Sequence, residues 1–184
     1  MEYLARLASA NPTPGGGSAA TVVAAMGAAL IEMAARITTS NPKYEAVRES
    51  AQRLIGRAGA LRAELGEAQA RDEAAFAAVM ATRGAERQAA WARAAAEPLN
   101  AMRLALEVQR LSVEALSLEN SHLASDIGCA AEFAAAAVAA CAYNVRINHR
   151  ALRDAGIVAG QAAEMERYEH ESATLLRRVR ETAR

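Results

Sequence analysis

The 184-residue sequence has few aromatic residues, few prolines and almost no cysteine. Its aromatic content is 4%, and it contains 4 prolines and 2 cysteines. On a single helix Cys129 and Cys141 would lie about 18 Å apart, which is too far for a disulfide. Neither has a Cys or His partner at a metal-ligand spacing. We therefore expect both cysteines to be small buried apolar residues.

The sequence also lacks an excess of charge of either sign. Lys+Arg and Asp+Glu number 21 each, which gives no support for a basic face that binds nucleic acid. The apolar stretches 19–35 and 127–143 contain Glu32 and Glu132 and are short for a membrane span. No charged leader with a small-residue cleavage site precedes the first motif. We expect a soluble, cytoplasmic protein with no nucleic-acid partner and no membrane.

What the sequence has in quantity is alanine, and it shows hardly any β-branched alternation, a composition typical of closely packed helices. The spacing of apolar residues and helix breakers predicts helices over 2–10, 18–38, 42–82, 86–118, 123–150 and 157–182. Pro98 should kink or interrupt the fourth. In the second helix the residues expected to face the core are Val23, Met26, Leu30, Met33 and Ile37. Short turns predict an all-α, mostly antiparallel up-and-down bundle of about five long helices, in one domain over 1–184.

The most informative segment is Asn-Pro-Thr-Pro-Gly-Gly-Gly-Ser at residues 11–18. Its prolines suppress helix, its glycines let the backbone turn sharply, and Ser18 can cap the helix that follows. Unpaired amides at such a helix start, with the positive end of the helix dipole, suit a carboxylate or a phosphate. A helix that merely needs a tight turn explains the segment equally well.

Asp72 breaks the apolar pattern of the third helix, because its carboxylate falls on the face that should be buried. An unpaired buried carboxylate is costly, so the group should be paired or have a raised pKa. A raised pKa would suit a general acid or base near neutral pH. A purely structural Asp72, held by an arginine or by capping amides, is an equally good interpretation.

The fifth helix carries two polar pairs. Ser125 and Asp126 stand at its start, where plain helix capping explains them adequately. Asn144 and Asn148 are four residues apart on one face, so their amides could read both donors and acceptors of a ligand, or clamp two helices together.

The fifth helix also predicts an oligomer. Asp126 and Asn144 would lie about 27 Å apart, so one compact pocket cannot use both from a single straight helix. Between them, a stripe of small residues would let two such helices pack closely; it consists of Ala130, Ala137 and Cys141. We therefore expect a two-fold homodimer with sites at or near its interface.

Four segments together resemble the formiminotransferase-cyclodeaminase C-terminal domain family, which also contains stand-alone methenyltetrahydrofolate cyclohydrolases. They are residues 11–18, Asp72-Glu73-Ala74-Ala75-Phe76, Ser125-Asp126-Ile127-Gly128-Cys129-Ala130-Ala131 and Asn144-Val145-Arg146-Ile147-Asn148. The resemblance implies a folate one-carbon enzyme. A cyclohydrolase, which converts 5,10-methenyltetrahydrofolate and water to 10-formyltetrahydrofolate, is slightly favoured because no formiminotransferase domain is attached.

Two alternatives stay open. A cyclodeaminase would convert 5-formiminotetrahydrofolate to the 5,10-methenyl compound and ammonia, and a separate formiminotransferase could supply its substrate. A non-catalytic helical module would bind folate or a partner protein through the same face.

The resemblance also implies site residues. Asp72 is the expected catalytic carboxylate, with Asp126 as second choice. The expected substrate-binding residues are Asn11, Thr13, Gly15, Gly16, Gly17, Ser18, Lys43, Ser125, Asn144 and Asn148. The family often shows a short lysine run after the second helix, where this chain has only Lys43. A tetrahydrofolate derivative is the substrate, and neither a metal nor a prosthetic group is expected.

Overall fold

The structure, a computed structural model, describes residues 2–183. Its helices are α1 (Glu2–Leu7), α2 (Gly16–Ser40), α3 (Arg48–Ala81), α4 (Gly84–Leu116), α5 (Ala124–His149) and α6 (Ala155–Thr182). Two short 3-10 segments cover Pro42–Val47 and Ser121–Leu123. Within residues 2–183 no β-strand occurs. The prediction of an all-α bundle is confirmed.

Helices α2 to α5 form the centre of the bundle, and the fifth long helix, α6, packs on α4 and α5. Helices α2 and α5 run antiparallel, because Gly16 faces Asn144 and Gly27 faces Ala130. A Cβ added at Gly27 would lie 2.8 Å from the carbonyl oxygen of Ala130, closer than real Cβ contacts allow. The close approach of these two helices therefore depends on the missing side chain at position 27.

Three of the five residues of α2 expected to face the core are exposed instead, whereas Val23 is half-buried and Leu30 packs against the core. Met26, Met33 and Ile37 leave 51%, 37% and 44% of their surface exposed. The buried apolar stripe is made of smaller residues: Ala20, Ala24, Ala28, Ile31, Ala34 and Ala35. Small side chains let α3 and α5 approach α2 closely, whereas a stripe of large side chains would hold them apart.

The small-residue stripe of α5 is also placed differently from the expectation. Ala130, Ala137 and Cys141 are all buried inside the single chain, so they are not available to pack against a second subunit. The expectation of two buried cysteines holds for Cys141 and is wrong for Cys129, which is exposed on the outer side of α5.

Helix ends differ from the predicted ones for local reasons. Ser18 is not the N-cap of α2, since the helix already begins at Gly16 with Gly15 as a cap residue that makes no side-chain hydrogen bond. The predicted third helix opens as a 3-10 turn, and Asn41 caps that turn by accepting from the Lys43 amide. Helix α4 continues through Pro98 without interruption.

Two helical stretches, Gly16–Ser40 and Ser121–His149, are long and apolar enough to cross a membrane by length and composition alone. The buried shares of their most apolar windows are 56% and 39%. Both stretches lie side by side within the bundle, where they supply much of its apolar core.

Candidate functional site

A cleft opens where the amino end of α2 meets α3, α4 and the carboxyl-terminal half of α5. Its volume is about 220 Å³. The residues that line it are Pro12, Thr13, Gly15, Gly16, Gly17, Asp72, Phe76, Ala94, Asn144, Ile147 and Asn148. The glycine loop, the odd carboxylate of α3 and the two asparagines of α5, which are far apart in the sequence, thus border one space.

Asp72 is fixed against the start of α2. A Cβ added at Gly17 would lie 2.5 Å from Oδ1 and 2.7 Å from Oδ2 of Asp72, so only glycine leaves room for this carboxylate. The backbone amide of Ser18 donates a hydrogen bond to it. Asp72 therefore takes the place of the missing side-chain cap of α2 and lies at the positive end of that helix.

The surroundings of Asp72 raise its pKa to about 6. Burial is the largest cause, because it disfavours the charged form, and the carboxylates of Glu97 and Glu73 push in the same direction. The hydrogen bond from the Ser18 amide opposes them by stabilising the charged form. Asp72 thus caps α2 and has a raised pKa. At neutral pH its carboxylate is ionised, so it is a base that can accept a proton.

A hydrogen-bonded network lies behind this carboxylate. The hydroxyl of Ser18 donates to Glu73 Oε1 over 2.9 Å, and the Tyr3 hydroxyl lies 2.8 Å from the same serine oxygen. Arg6 and Gln69 also donate to Glu73. Burial raises the pKa of Glu73, but these hydrogen bonds outweigh it and the net direction is downward, which keeps a negative charge beside Asp72.

The two asparagines of α5 are held by backbone carbonyls. Asn144 Nδ2 donates to the Ala140 oxygen over 2.9 Å, and Asn148 Nδ2 donates to the Ala94 oxygen of α4 over 2.6 Å. Asn144 also packs on Gly16, where an added Cβ would lie 3.4 Å from Nδ2. Both amides are therefore ordered before any ligand arrives.

The structure brings together seven of the residues expected in the site and separates five. Those at the cleft are Thr13, Gly15, Gly16, Gly17, Asp72, Asn144 and Asn148. The other five are Asn11, Ser18, Lys43, Ser125 and Asp126, and within this chain none of them lines it.

Each of the five has its own place. Asn11 is exposed at the loop, and Ser18 is buried behind the cleft. Lys43 lies beyond the far end of α2, over the ring of Tyr44. Ser125 lines a separate cleft between α5 and α6, and Asp126 stands in the first turn of α5, at the end opposite Asn144. Asp126 and Asn144 thus lie at opposite ends of α5 and do not share one pocket within this chain, as their spacing predicts.

Sequence reasoning missed several residues at or behind the cleft. Glu73 and Glu97 shift the pKa of Asp72, and Ala94 and Ile147 line the cleft. Of these residues, only Ala94 had a signal in the sequence. Pro98 lies four positions later inside a helix, and a mid-helix proline leaves the carbonyl four residues earlier in need of a donor. Among residues 2–183, no group of three or more His, Cys, Asp or Glu side chains is arranged to hold a metal ion.

Comparisons with known proteins agree with the resemblance found in the sequence. The family model for formiminotransferase-cyclodeaminase matches residues 1–167. A methenyltetrahydrofolate cyclohydrolase from Methylorubrum extorquens is 33% identical over 195 residues, with 99% of this chain and 94% of the relative covered. The crystal structure of formiminotetrahydrofolate cyclodeaminase from Thermotoga maritima matches with a TM-score of 0.93 at 29% identity, covering 98% of this chain and 93% of that one.

Proposed function

The chain belongs to the formiminotransferase-cyclodeaminase family, and on that premise we propose that it is a folate one-carbon enzyme that hydrolyses 5,10-methenyltetrahydrofolate to 10-formyltetrahydrofolate. The observation that carries the proposal is the Asp72 carboxylate, fixed inside the cleft with a pKa of about 6. The whole-length similarity to a cyclohydrolase favours this reaction over its alternative.

In the proposed reaction Asp72 moves one proton. A water oxygen attacks the carbon that bridges N5 and N10, and the electrons of the carbon–nitrogen double bond neutralise the cationic nitrogen. Asp72 accepts the proton that the water loses. The tetrahedral carbon then loses its hydroxyl proton to solvent while its bond to N5 breaks, and Asp72 returns its proton to N5. Before the attack, the carboxylate also stabilises the cationic substrate electrostatically.

The remaining walls of the cleft suit the ring end of the substrate. The glycine loop offers backbone N–H groups at the positive end of α2, and Phe76 and Ile147 offer apolar surface to a flat ring. Asn144 and Asn148 would orient that ring. The cleft volume of about 220 Å³ is below the range of about 300–1,000 Å³ that is usual for ligand pockets. We therefore place the pterin ring and its one-carbon unit inside, and the rest of the molecule outside.

Cyclodeamination is the second candidate, favoured by the fold match to the Thermotoga maritima cyclodeaminase. In that reaction N10 attacks the formimino carbon on N5 and ammonia leaves. The tetrahedral carbon again needs a positioned base, so Asp72 would serve the same way. A separate formiminotransferase would supply the substrate.

We further propose a two-fold homodimer in a soluble, cytoplasmic protein with no nucleic-acid partner. Its support is exposed apolar residues on two helices, Met26, Met33 and Ile37 on α2 and Tyr143 and Ile147 on α5. Exposed apolar patches often mark protein–protein contacts. Ile147 also lines the cleft, so a partner that covers this part of α5 would border the site.

One spectrophotometric experiment separates the candidates. The purified protein is mixed with 5,10-methenyltetrahydrofolate and, in parallel, with 5-formiminotetrahydrofolate. A cyclohydrolase removes the methenyl absorbance faster than the spontaneous reaction, and a cyclodeaminase creates it from the formimino compound. Binding of either compound without any change in absorbance would contradict the proposal and favour a non-catalytic module. Glu166→Gln is the matched control for Asp72→Asn, because it also loses one carboxylate and Glu166 is exposed on α6 and does not line the cleft.

A further inference from the structure

Pro98 leaves a gap in the hydrogen bonds of α4. In a regular helix the N–H of residue 98 would bond to the carbonyl oxygen of Ala94, four residues earlier, and proline has no N–H. Helix α4 nonetheless continues through this position. Ala94 is buried, and a buried carbonyl without a donor is costly. Its oxygen therefore requires a donor from elsewhere in the molecule.

Asn148 of α5 provides that donor. Its Nδ2 lies 2.6 Å from the Ala94 oxygen. Since a carbonyl can only accept, the amide nitrogen must face Ala94, and Oδ1 of Asn148 must point away from it. Asn148 is buried and lines the cleft. The proline thus fixes which end of this amide is free for a ligand.

A different backbone carbonyl orients Asn144 in the same way, with Nδ2 as the bonded atom. Its Nδ2 donates to the Ala140 oxygen within α5, and this leaves Oδ1 as the free end. Each side-chain NH2 group has two N–H donors and uses one of them for its backbone carbonyl, so the expectation that the pair reads both donors and acceptors stays a prediction. Together with the carboxylate of Asp72, the two Oδ1 atoms give this side of the cleft three acceptor groups. A ligand edge that carries N–H groups therefore suits it.

We propose that Pro98 is a positioning residue, which frees the Ala94 carbonyl so that Asn148 is locked as an acceptor for N–H groups of the pterin ring. The inference rests on the proposed function, because the pterin is the part of the substrate with such an N–H edge. It adds a residue that does not itself touch the ligand. It also explains why a helix-breaking residue is tolerated in the middle of α4.

The test is Pro98→Ala, which restores the N–H at residue 98. That N–H can bond to Ala94, and Asn148 then loses its fixed partner. We expect KM for 5,10-methenyltetrahydrofolate to rise about tenfold, the value of one hydrogen bond, with kcat changed less than about threefold. We expect Tm to stay the same or rise, because alanine suits a helix interior better than proline. A merely structural proline would give a lower Tm and an unchanged KM, and that result would overturn the inference.

Two controls sharpen the result. Pro42→Ala alters a proline in the 3-10 turn after α2, outside the cleft, and should leave KM unchanged. In the Asn148→Ala background, adding Pro98→Ala should raise KM no further, because the two act through one contact. If instead the two substitutions raise KM multiplicatively in the double variant, Pro98 does not act through Asn148.

A ligand-free measurement keeps this inference separate from the proposed function. Side-chain amide exchange of Asn148, followed by NMR, should be slow in the unaltered protein and faster in Pro98→Ala. Equal exchange in both would overturn the positioning role even if the enzyme acts on folate. The unaltered protein could also turn over neither folate compound while the two amide exchange rates differ. In that case the proposed function fails, but the conclusion that Asn148 replaces the N–H donor missing at Pro98 stands.

Discussion

Replacing Asp72 by asparagine should abolish activity and stabilise the protein. Asparagine has nearly the same size, so it still fits against Gly17, and its Oδ1 can still accept from the Ser18 amide. It cannot take a proton from water at neutral pH. Losing a positioned general base typically costs a factor of about 10²–10⁴ in rate. We expect kcat to fall by that factor, with KM changed far less.

The gain in stability follows from the raised pKa. The pKa of Asp72 rises from 3.8 to about 6 on folding, and at about 1.4 kcal/mol per unit this corresponds to about 3 kcal/mol against the ionised native state. Partial contact with water lowers that figure, so we expect the asparagine variant to be about 1–3 kcal/mol more stable at pH 8. The destabilisation is fully present above pH 6 and disappears as pH falls from about 6 to 4, because the native carboxyl is protonated first.

Urea unfolding at pH 8 and pH 4, at one protein concentration, measures this difference, and the absorbance assay measures turnover. Glu166→Gln is the control for both, since it removes an exposed carboxylate on α6, away from the cleft. Turnover retained in Asp72→Asn would refute the assignment of the base. A variant less stable than the unaltered protein at pH 8 would refute the claim that burial makes this carboxylate costly.

Three further predictions concern the fit of Asp72 against Gly17, its pKa and the exposed apolar residues of α2. Gly17→Ala should lower activity and stability, because its Cβ would collide with the Asp72 carboxylate. Gly66→Ala is the control; it has open space around it and should stabilise the protein by about 0.5–1 kcal/mol. Turnover and urea unfolding measure both variants. kcat/KM should rise with pH through an apparent pKa near 6, that of Asp72. Glu97→Gln should move this rise to lower pH, because it removes a like charge near Asp72. An unchanged pH profile would contradict the effect of Glu97 on the pKa of Asp72. Ile37→Glu should convert the proposed dimer to a monomer in sedimentation equilibrium, because it puts a charge among the exposed apolar residues of α2. A dimer that survives this substitution would place the interface elsewhere.

Much of the fold followed from periodicity and helix breakers, and the errors have clear physical causes. Helix α2 is apolar around most of its circumference, so periodicity alone offered two candidate core faces. The pattern of large residues at Met26, Met33 and Ile37 indicated the face that the structure leaves exposed. Close packing of α2 on its neighbours selected the alanine face instead, and that choice depends on tertiary contacts such as the one at Gly27.

The site was predictable where a residue type conflicted with its local pattern. A carboxylate on an apolar face, a run of glycines and a pair of asparagines each stood out, and the structure brings all three to one cleft. Ser125 and Asp126 stood out equally but lie elsewhere in the single chain, because a local cap motif carries no information about distant neighbours. The link between Pro98 and Asn148 joins two helices 50 residues apart in the sequence, and only the fold reveals it.

A crystal structure of Asp72→Asn with bound 5,10-methenyltetrahydrofolate tests the central claim most directly, because the slowed variant should hold its substrate intact. We expect the bridging carbon within about 3–4 Å of the residue 72 side chain, or one water away from it, with the pterin N–H groups facing Asn144 and Asn148. Substrate density outside this cleft, for example beside Ser125 and Asp126, would contradict the assignment.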